Sequence, residues 1–252
     1  MIVQKRTYRK KRAQWYVEKK EGIRQMVYVT GDTHGEWERF KSKEMRKLRA
    51  GDTLVICGDF GFIWDDSRRE RSCLRKLAAL PFTIAFVDGC HENFDMLNAY
   101  PEELWNGGYV HRIARNIVHM MRGQIFTIEN RTYFVFGGGH SQDAEYRDEE
   151  DTFWPQERPT REEITFAIQN LQDVGNRVDY IVTHEPPVSV KDCLGVDVHE
   201  RLEIHAFFEN MIHVCMYRKW FFGKCHMDKF VPVKYFAVFE KVLPVTVKNT
   251  DI

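Results

Sequence analysis

The sequence predicts an α/β protein in which helices cover the faces of β-sheets, and three observations lead to this prediction. In the first part of the chain, short apolar strands alternate with charged segments of helical periodicity, which is the pattern of successive βαβ units. From residue 109 onward, short strands follow one another with turn residues between them. The 252 residues are 43% hydrophobic and include 18 phenylalanines, which is enough for a substantial core.

The first half of the chain supplies the alternating units. Val27–Thr30 is a short run rich in β-branched residues, which predicts a buried strand. Farther along, Leu74, Leu77 and Leu80 recur at helical spacing until Pro81 ends the segment. The predicted elements of this half are strands at 27–30, 53–57 and 82–87, and helices at 36–50 and 67–80.

The second half is predicted to be richer in strands. Thr160 is followed three residues later by Glu163, which is the capping box that opens a helix. Residues 142–159 are polar and charged and are predicted to form a loop. The predicted elements are an antiparallel meander of strands at 109–113, 117–121, 124–128 and 132–136, further strands at 180–183, 219–222 and 235–242, and helices at 160–175 and 198–211.

Charge divides the chain into a basic leader, residues 1–25, and a mildly acidic globular domain, residues 26–252. The leader carries nine basic and two acidic side chains, which leaves 28 basic and 35 acidic side chains for the rest of the chain. A solvated tail is one interpretation, and an electrostatic arm that binds nucleic acid is another. A third interpretation is that Met26 is the natural start of the protein. The codons for residues 20–22 can form the purine-rich sequence that recruits bacterial ribosomes, at about the right distance upstream of Met26.

Cysteine usage and hydropathy predict a cytoplasmic protein. The six cysteines form no CxxC pair and several lie in apolar runs, which is typical of a reducing compartment rather than of a disulfide framework. No apolar stretch approaches the roughly 18 residues that a membrane-spanning helix needs, so we expect no membrane partner. The basic leader has no hydrophobic segment behind it and is therefore not a secretory signal.

Polar turns that follow predicted strands carry potential metal ligands. The first three such turns are 27 and 31 residues apart, about one βαβ unit each, so they should reappear at the same edge of the sheet. Taken singly, each turn is commonly a loop or a cap. Aspartate and histidine together suit manganese, iron or zinc. The turns carry Asp32 with His34, Asp59, Cys90 with His91, His140, His184, and Lys224 with His226.

Five sequence segments that contain these turns, taken in order, resemble the motifs of the calcineurin-like metallophosphoesterases, and most of all those of small bacterial members. The segments that carry the resemblance are GDTHG (31–35), GDFG (58–61), GCHENFD (89–95), THEP (183–186) and GKCH (223–226). The resemblance implies a four-layer αββα sandwich with mixed sheets, one or two divalent cations, and hydrolysis of small phosphomonoesters or phosphodiesters. Manganese is the first expectation for the cation, with iron or zinc as alternatives.

The resemblance also implies a ligand set, from which this sequence departs at two positions. One cation would take Asp32, His34, Asp59 and His226. A second would share Asp59 and add His184, an asparagine and a histidine, but Cys90 stands where the asparagine belongs and Lys224 where the histidine belongs. Both departures affect the second cation and neither affects the first.

Three interpretations of the departures remain open at the level of sequence. The ammonium of Lys224 would repel a second cation and replace its charge, leaving a single cation at the site. Alternatively, Cys90 as a thiolate would form a softer zinc site with His184 and Asp59, favoured by the nearby lysine. In the third interpretation the protein has lost catalysis and binds a phosphorylated ligand or nucleic acid.

Two residues are expected to have catalytic roles. The resemblance matches His91 to the histidine that assists the leaving group as a general acid. Lys224 departs from the family pattern, and its positive charge would neutralise charge on the phosphoryl oxygens as a second cation would. Asn93 and His140 are expected to border the substrate because of their positions after strands.

Overall fold

The computed structural model describes residues 25–141, 152–196 and 202–248. The expectations for the basic leader, for residues 142–151 of the predicted loop and for the start of the predicted helix 198–211 lie outside the described residues. The described strands are β1 Val27–Thr30, β2 Thr53–Cys57, β3 Thr83–Val87, β4 Glu102–Trp105, β5 Gly108–Ala114, β6 Ile117–Met120, β7 Ile125–Ile128, β8 Arg131–Phe136, β9 Tyr180–Thr183, β10 Lys219–Phe222, β11 Lys229–Val231, β12 Tyr235–Ala237 and β13 Leu243–Pro244. The α-helices are α1 Arg68–Ala78, α2 Phe94–Asn98, α3 Arg161–Asp173, α4 Val188–Leu194 and α5 Glu203–Val214.

Two mixed sheets stack face to face, and helices cover their outer faces. Among the described residues, one sheet has seven strands in the order β13-β1-β2-β3-β6-β5-β4, and the other has six in the order β11-β12-β10-β9-β8-β7. Valines that face inward from both sheets, such as Val55 and Val182, share one buried cluster. Neighbouring residues point outward, so Ile56 packs with Leu77 of α1 and Phe222 packs with Phe208 of α5. The α/β, four-layer fold predicted from the sequence is therefore confirmed.

Parallel pairing aligns the turns that follow the first three strands. β2 pairs in parallel with both β1 and β3, so that Val27 faces Thr53 and Thr53 faces Thr83. The same holds in the second sheet, where β9 and β10 are parallel neighbours. All of these strands end at one rim of the sandwich, because parallel strands share a direction and a register.

The predicted helix at 36–50 is wrong. The structure has two short 3₁₀ helices there, Trp37–Lys41 and Met45–Lys47, with Ser42 in an extended conformation between them. The apolar residues Phe40, Met45 and Leu48 are buried as expected. However, Trp37 lies three residues before Phe40 and Met45 three residues before Leu48, a spacing that places side chains above one another in a 3₁₀ helix. The rings of Trp37 and Phe40 stack accordingly.

The predicted four-stranded meander is also wrong, because its strands form two hairpins in different sheets. β5 and β6 pair in the seven-stranded sheet, whereas β7 and β8 pair in the six-stranded sheet. The chain crosses between sheets at Arg122 and Gly123, where Gly123 adopts a left-handed φ of 73°. Side-chain alternation predicts strands but does not reveal which sheet receives them.

The last predicted strand, 235–242, is shorter than expected and ends at Ala237. The reason is that the backbone N–H groups of Phe239, Glu240 and Lys241 donate to the carboxylate of Asp228 instead of to a neighbouring strand. The capping box of Thr160 and Glu163 is present as predicted and opens α3. No helix in the described part of the chain is both long enough and apolar enough to cross a membrane.

Candidate metal centre

The turns after β1 and β2 are bonded directly to each other. The backbone N–H of His34 donates to the carbonyl of Asp59 over 2.9 Å, and the N–H of Gly35 donates to the carbonyl of Phe60 over 3.1 Å. The hydroxyl of Thr33 also donates to the carbonyl of Phe60, over 2.8 Å. These bonds extend the β1–β2 pairing past the ends of the strands and hold the two turns together.

Four residues in the turns after β1, β2 and β10 adopt left-handed backbone conformations. His34, Asp59 and His226 all adopt left-handed φ values, of 45°, 44° and 45°, and Lys224 has a φ of 62°. Each such conformation costs a non-glycine residue about 1–3 kcal/mol. Residues held in this way by the surrounding structure are typical of binding and catalytic sites, which supports a functional role for the rim.

The donor atoms of four predicted ligands lie together at this rim. Asp32, His34, Asp59 and His226 each offer one donor atom, and these atoms lie within 4.8 Å of one another. His34 Nε2 and His226 Nε2 are 2.9 Å apart, and His226 Nε2 is 3.1 Å from Asp32 Oδ2. Ligands that bind one cation at about 2.0–2.2 Å can be at most roughly 4.4 Å apart, so the cluster has nearly the required size.

The buried carboxylate of Asp32 also fits a cation. Asp32 is 0% exposed; its Oδ2 lies 3.1 Å from His226 Nε2, whereas its Oδ1 has no hydrogen-bond partner among the described residues. A buried carboxylate oxygen without a partner is costly, so a cation at this point would supply the missing interaction. Gly223 makes room for this carboxylate, because a Cβ atom there would overlap with Asp32 Oδ1.

The charges around the cluster favour an ionised Asp59. Burial alone would raise the pKa of Asp59, but the charge of His184 and the hydrogen bond and charge of His91 lower it well below its usual value. The hydrogen bond to Asp32 raises the pKa of His226, whereas burial lowers the pKa of His34. The cluster therefore contains an ionised carboxylate and imidazoles, which is the chemistry of a site for a borderline divalent cation.

His184 lies on the other side of Asp59, with its ring orientation fixed. Its Nδ1 is 3.1 Å from the carbonyl of Cys57, and because a carbonyl oxygen only accepts, Nδ1–H donates to that oxygen. Nε2 is 3.7 Å from Asp59 Oδ1 and 3.6 Å from Cys90 Sγ. A Cβ atom on Gly58 would overlap with the imidazole, so glycine is required at that position.

Lys224 and Cys90 contact each other at the second predicted position. Lys224 Nζ donates to Cys90 Sγ over 3.1 Å and to the carbonyl of His140 over 2.6 Å. Burial alone would lower the pKa of Lys224, but Cys90 and Glu185 raise it above its usual value, so the amine stays charged. Burial and the charge of Asp59 raise the pKa of Cys90, and Lys224 does not compensate for them. The thiolate required by the zinc interpretation is therefore disfavoured in the absence of a metal.

His91 lies between the carboxylate of Asp59 and an open cleft. Its backbone N–H donates to Asp59 Oδ1 over 2.9 Å, and its Nδ1 is 3.2 Å from Asp59 Oδ2. The side chain is 35% exposed and lines the cleft next to His34. Asp59, Cys90 and His91 form a second group whose donor atoms lie within 4.8 Å.

The structure adds an ionic network to which sequence reasoning assigned no role. Glu185 Oε2 is 2.7 Å from Lys191 Nζ, and Glu185 Oε1 is 3.7 Å from Lys224 Nζ. Glu185 and Lys191 are both 0% exposed, and His205 lies 3.4 Å from the same carboxylate. The only sequence signal was that Glu185 lies inside the THEP block, next to His184.

Asn93 and His140 occupy different positions relative to the rim. Asn93 caps α2, and its amide donates to the carbonyl of Trp64 over 2.7 Å, so it supports a loop beside the cleft. The ring of His140 accepts from Arg158, and its carbonyl accepts from Lys224. Both side chains therefore have structural partners near the site.

Comparisons with known proteins give one family match and similar solved structures. The calcineurin-like phosphoesterase family matches residues 26–215 of the chain. No curated protein sequence matches the chain. The fold is similar to that of phosphopantetheinyl hydrolase from Mycobacterium tuberculosis, with 13% identity, a TM-score of 0.43, and 86% of this chain and 90% of that chain covered. It is also similar to a putative 5'-nucleotidase from Staphylococcus aureus in complex with alpha-ketoglutarate, with 13% identity, a TM-score of 0.45, and 90% of this chain and 55% of that chain covered.

Proposed function

Because the chain belongs to the calcineurin-like phosphoesterase family, we propose that it hydrolyses small phosphomonoesters or phosphodiesters with one divalent cation and one lysine ammonium. The observation that carries this proposal is the grouping of Asp32, His34, Asp59 and His226 beside the charged amine of Lys224. Manganese is the expected cation, with iron or zinc as alternatives, since carboxylate and imidazole ligands suit all three.

The four clustered residues would hold the cation. When bound, a divalent cation there lowers the pKa of a water molecule and polarises a phosphoryl oxygen. Lys224 binds the phosphoryl oxygens and neutralises the charge that develops on them. His91, oriented through Nδ1 by Asp59, carries a proton on Nε2 to the leaving-group oxygen as the general acid.

The contacts of Lys224 support a site with a single cation. Its Nζ lies between Cys90 Sγ and the carboxylate of Glu185, beside the residues that would hold a second cation. A charged ammonium group next to those residues repels a second divalent cation and strongly disfavours its binding. A neutral, buried Cys90 is also a poor ligand for such an ion.

Replacing both unusual residues tests this proposal. The double variant Cys90→Asn, Lys224→His is expected to raise the manganese content from about one to about two ions per chain and to speed hydrolysis of an aryl phosphodiester, because two-cation sites stabilise both attacking and leaving oxygens. Metal analysis and initial rates measure the two effects. Asp59→Ala should abolish both metal binding and turnover.

A matched control tests whether the effects depend on where the substitutions are made. Cys193 and Lys229 are exposed and lie outside the site, so the variant Cys193→Asn, Lys229→His should change neither property. If the site variant gained neither metal nor rate, the assignment of Cys90 and Lys224 to the second position would be wrong.

The contact between Lys224 and Cys90 favours a second candidate function, because it occupies the position where other members of the family would bind the second cation. In this alternative the protein is catalytically inactive and binds a phosphorylated ligand or, through residues 1–25, nucleic acid. Absence of turnover with manganese, combined with binding that depends on salt and is lost when the leader is deleted, would favour this alternative.

A further inference from the structure

A cavity of about 600 Å³, which we term the basal cavity, opens where β1, β8, β9 and β10 begin. It lies at the end of the sandwich opposite the candidate metal centre. Tyr180 lines the cavity at the start of β9 and His184 follows the end of that strand, so roughly 13 Å separate the two sites. The volume lies in the usual range of small-molecule sites, which is about 300–1,000 Å³. The lining residues that bear on the argument are Glu129, Arg131, Tyr133, Tyr180, Arg218 and Lys219.

Two buried tyrosines form the floor of the basal cavity. Tyr133 and Tyr180 are 1% and 5% exposed, and they are direct neighbours in the parallel pairing of β8 and β9. Neither hydroxyl has a hydrogen-bond partner among the residues that the structure describes, whereas the hydroxyls of Tyr217 and Tyr235 bond to each other over 3.0 Å. A buried hydroxyl without a partner costs about 1–3 kcal/mol, which a polar group inside the cavity would offset.

The charged residues at the mouth of the cavity act on both hydroxyls. Burial raises the pKa of Tyr133, as do Tyr180 and the charge of Asp179, whereas Arg131 lowers it. Burial likewise raises the pKa of Tyr180, which Arg131 lowers and Asp179 raises. Both hydroxyls therefore lie near the charged mouth, stay protonated at neutral pH and can donate to an acceptor in the cavity.

The mouth carries more positive than negative charge. The three cations Arg131, Arg218 and Lys219 stand against two carboxylates, those of Asp179 and Glu129. Asp179 Oδ1 accepts from Arg131 over 3.3 Å and from Arg218 over 2.8 Å. Each arginine is held through one nitrogen, and its other guanidinium N–H groups have no partner in the described part of the chain. Guanidinium groups held in this way suit the paired oxygens of a phosphate or a carboxylate.

We propose that the basal cavity binds a small organic anion whose phosphate or carboxylate group accepts from Arg131, Arg218 and the hydroxyls of Tyr133 and Tyr180. The inference does not depend on the proposed phosphoester hydrolysis, because none of these four residues belongs to the candidate metal centre. A ligand that binds only the folded chain also stabilises it, so the same anion should raise the melting temperature.

Calorimetric titration of the manganese-loaded protein with succinate, inorganic phosphate and neutral succinamide tests the proposal. At least one of the two anions should bind saturably and more tightly than succinamide, and the tighter anion identifies the acidic group. Tyr133→Phe keeps the ring but removes the hydroxyl, and it should weaken anion binding about tenfold or more, as expected for one hydrogen bond to a charged group. Arg131→Gln should have an effect of similar size. Tyr109→Phe and Arg75→Gln, at exposed positions elsewhere, are the matched controls and should have no effect.

Repeating the titrations with Asp59→Ala excludes binding at the candidate metal centre. This variant lacks a ligand of that centre, so anion binding at the basal cavity should be unchanged, and its loss would overturn the inference. Circular dichroism establishes that each variant is folded, and Arg131→Gln remains informative if Tyr133→Phe is not.

Three further results would show that the basal cavity holds water alone and would overturn the inference. These are no saturable binding of either anion, no preference for an anion over succinamide, and an affinity that responds to neither Tyr133→Phe nor Arg131→Gln. If hydrolysis of bis(p-nitrophenyl) phosphate persisted in that case, the proposed function would still stand. Conversely, Tyr133-dependent anion binding without any hydrolysis would support the basal cavity and refute the phosphoesterase activity.

Discussion

The first prediction concerns Glu185, whose buried carboxylate lies beside the candidate metal centre. Glu185→Gln keeps the size of the side chain but removes its charge. In the native structure this carboxylate lies 2.7 Å from Lys191 Nζ and 3.7 Å from Lys224 Nζ, and both Glu185 and Lys191 are 0% exposed. The variant therefore places the fully buried ammonium group of Lys191 and the largely buried one of Lys224 near a neutral amide.

The magnitude follows from the cost of an uncompensated buried charge. Breaking a buried ion pair by removing one partner costs about 3–5 kcal/mol. For a domain of this size, a loss of about 3 kcal/mol lowers the melting temperature by roughly 6–12 °C. Lys191→Met should cost less, because His205 and Lys224 still face the carboxylate of Glu185.

Protonation should have the same effect as the substitution. Burial alone would raise the pKa of Glu185, but the hydrogen bond of His205 and the charges of Lys224 and Lys191 lower it below its usual value. A lowered folded-state pKa stabilises the protein above the usual glutamate pKa of about 4.3, and this stabilisation is lost as the pH falls below it. The difference between wild type and Glu185→Gln should therefore shrink in acid.

Urea unfolding at neutral pH measures the free energy of unfolding of wild type, both single variants and the double variant. In the double variant the two losses should not add, with a coupling of about 0.5–3 kcal/mol, since the substitutions remove both members of one pair. Glu162→Gln, on the exposed side of α3, is the matched control and should stay within about 0.5 kcal/mol of wild type. A Glu185→Gln effect no larger than this control, or strict additivity, would refute the argument.

Two further predictions follow from other buried groups. Burial, and secondly the charge of His119, lowers the pKa of His111 to about 4, so the unfolded chain binds more protons between about pH 4 and 6.5 and stability falls as the pH drops through this range. We expect His111→Gln to reduce the stability difference between pH 7.5 and 5.0 by up to about 2 kcal/mol, measured by urea unfolding, and an unchanged difference would contradict this. Gly223→Ala would place a Cβ atom against Asp32 Oδ1 and should reduce manganese content, whereas Gly175→Ala, with open space around it, should leave the metal content intact.

The early strands and their turns could be predicted because local signals determined them. Alternation and β-branched residues identified β1, β2 and β3, and the spacing of about one βαβ unit placed Asp32, Asp59 and Cys90 at one rim. The right-handed parallel connection leaves few other arrangements for such units. The grouping of Asp32, Asp59 and Cys90 thus follows from topology, whereas His226, which follows β10 of the other sheet, joins them only when the two sheets pack.

Other features depend on long-range contacts that leave no local pattern. The split of the expected meander between two sheets depends on which strand edge β7 pairs with. The spacing of the strands along the chain does not reveal that edge. The ion pair of Glu185 and Lys191 and the support of Trp64 by Glu70 and Asn93 likewise join positions whose polar character alone predicts surface loops.

By itself, the sequence determined the strands, their polar turns and the kinds of donor atom that meet at the rim, because each of these depends on residues close together in the chain. Only the tertiary structure decided that Lys224 lies against Cys90 and Glu185, and that an aromatic cleft adjoins His91. The physical reason is that buried charges and cleft walls gain their energy from partners supplied by distant segments, and those partners are brought together only when the two sheets pack.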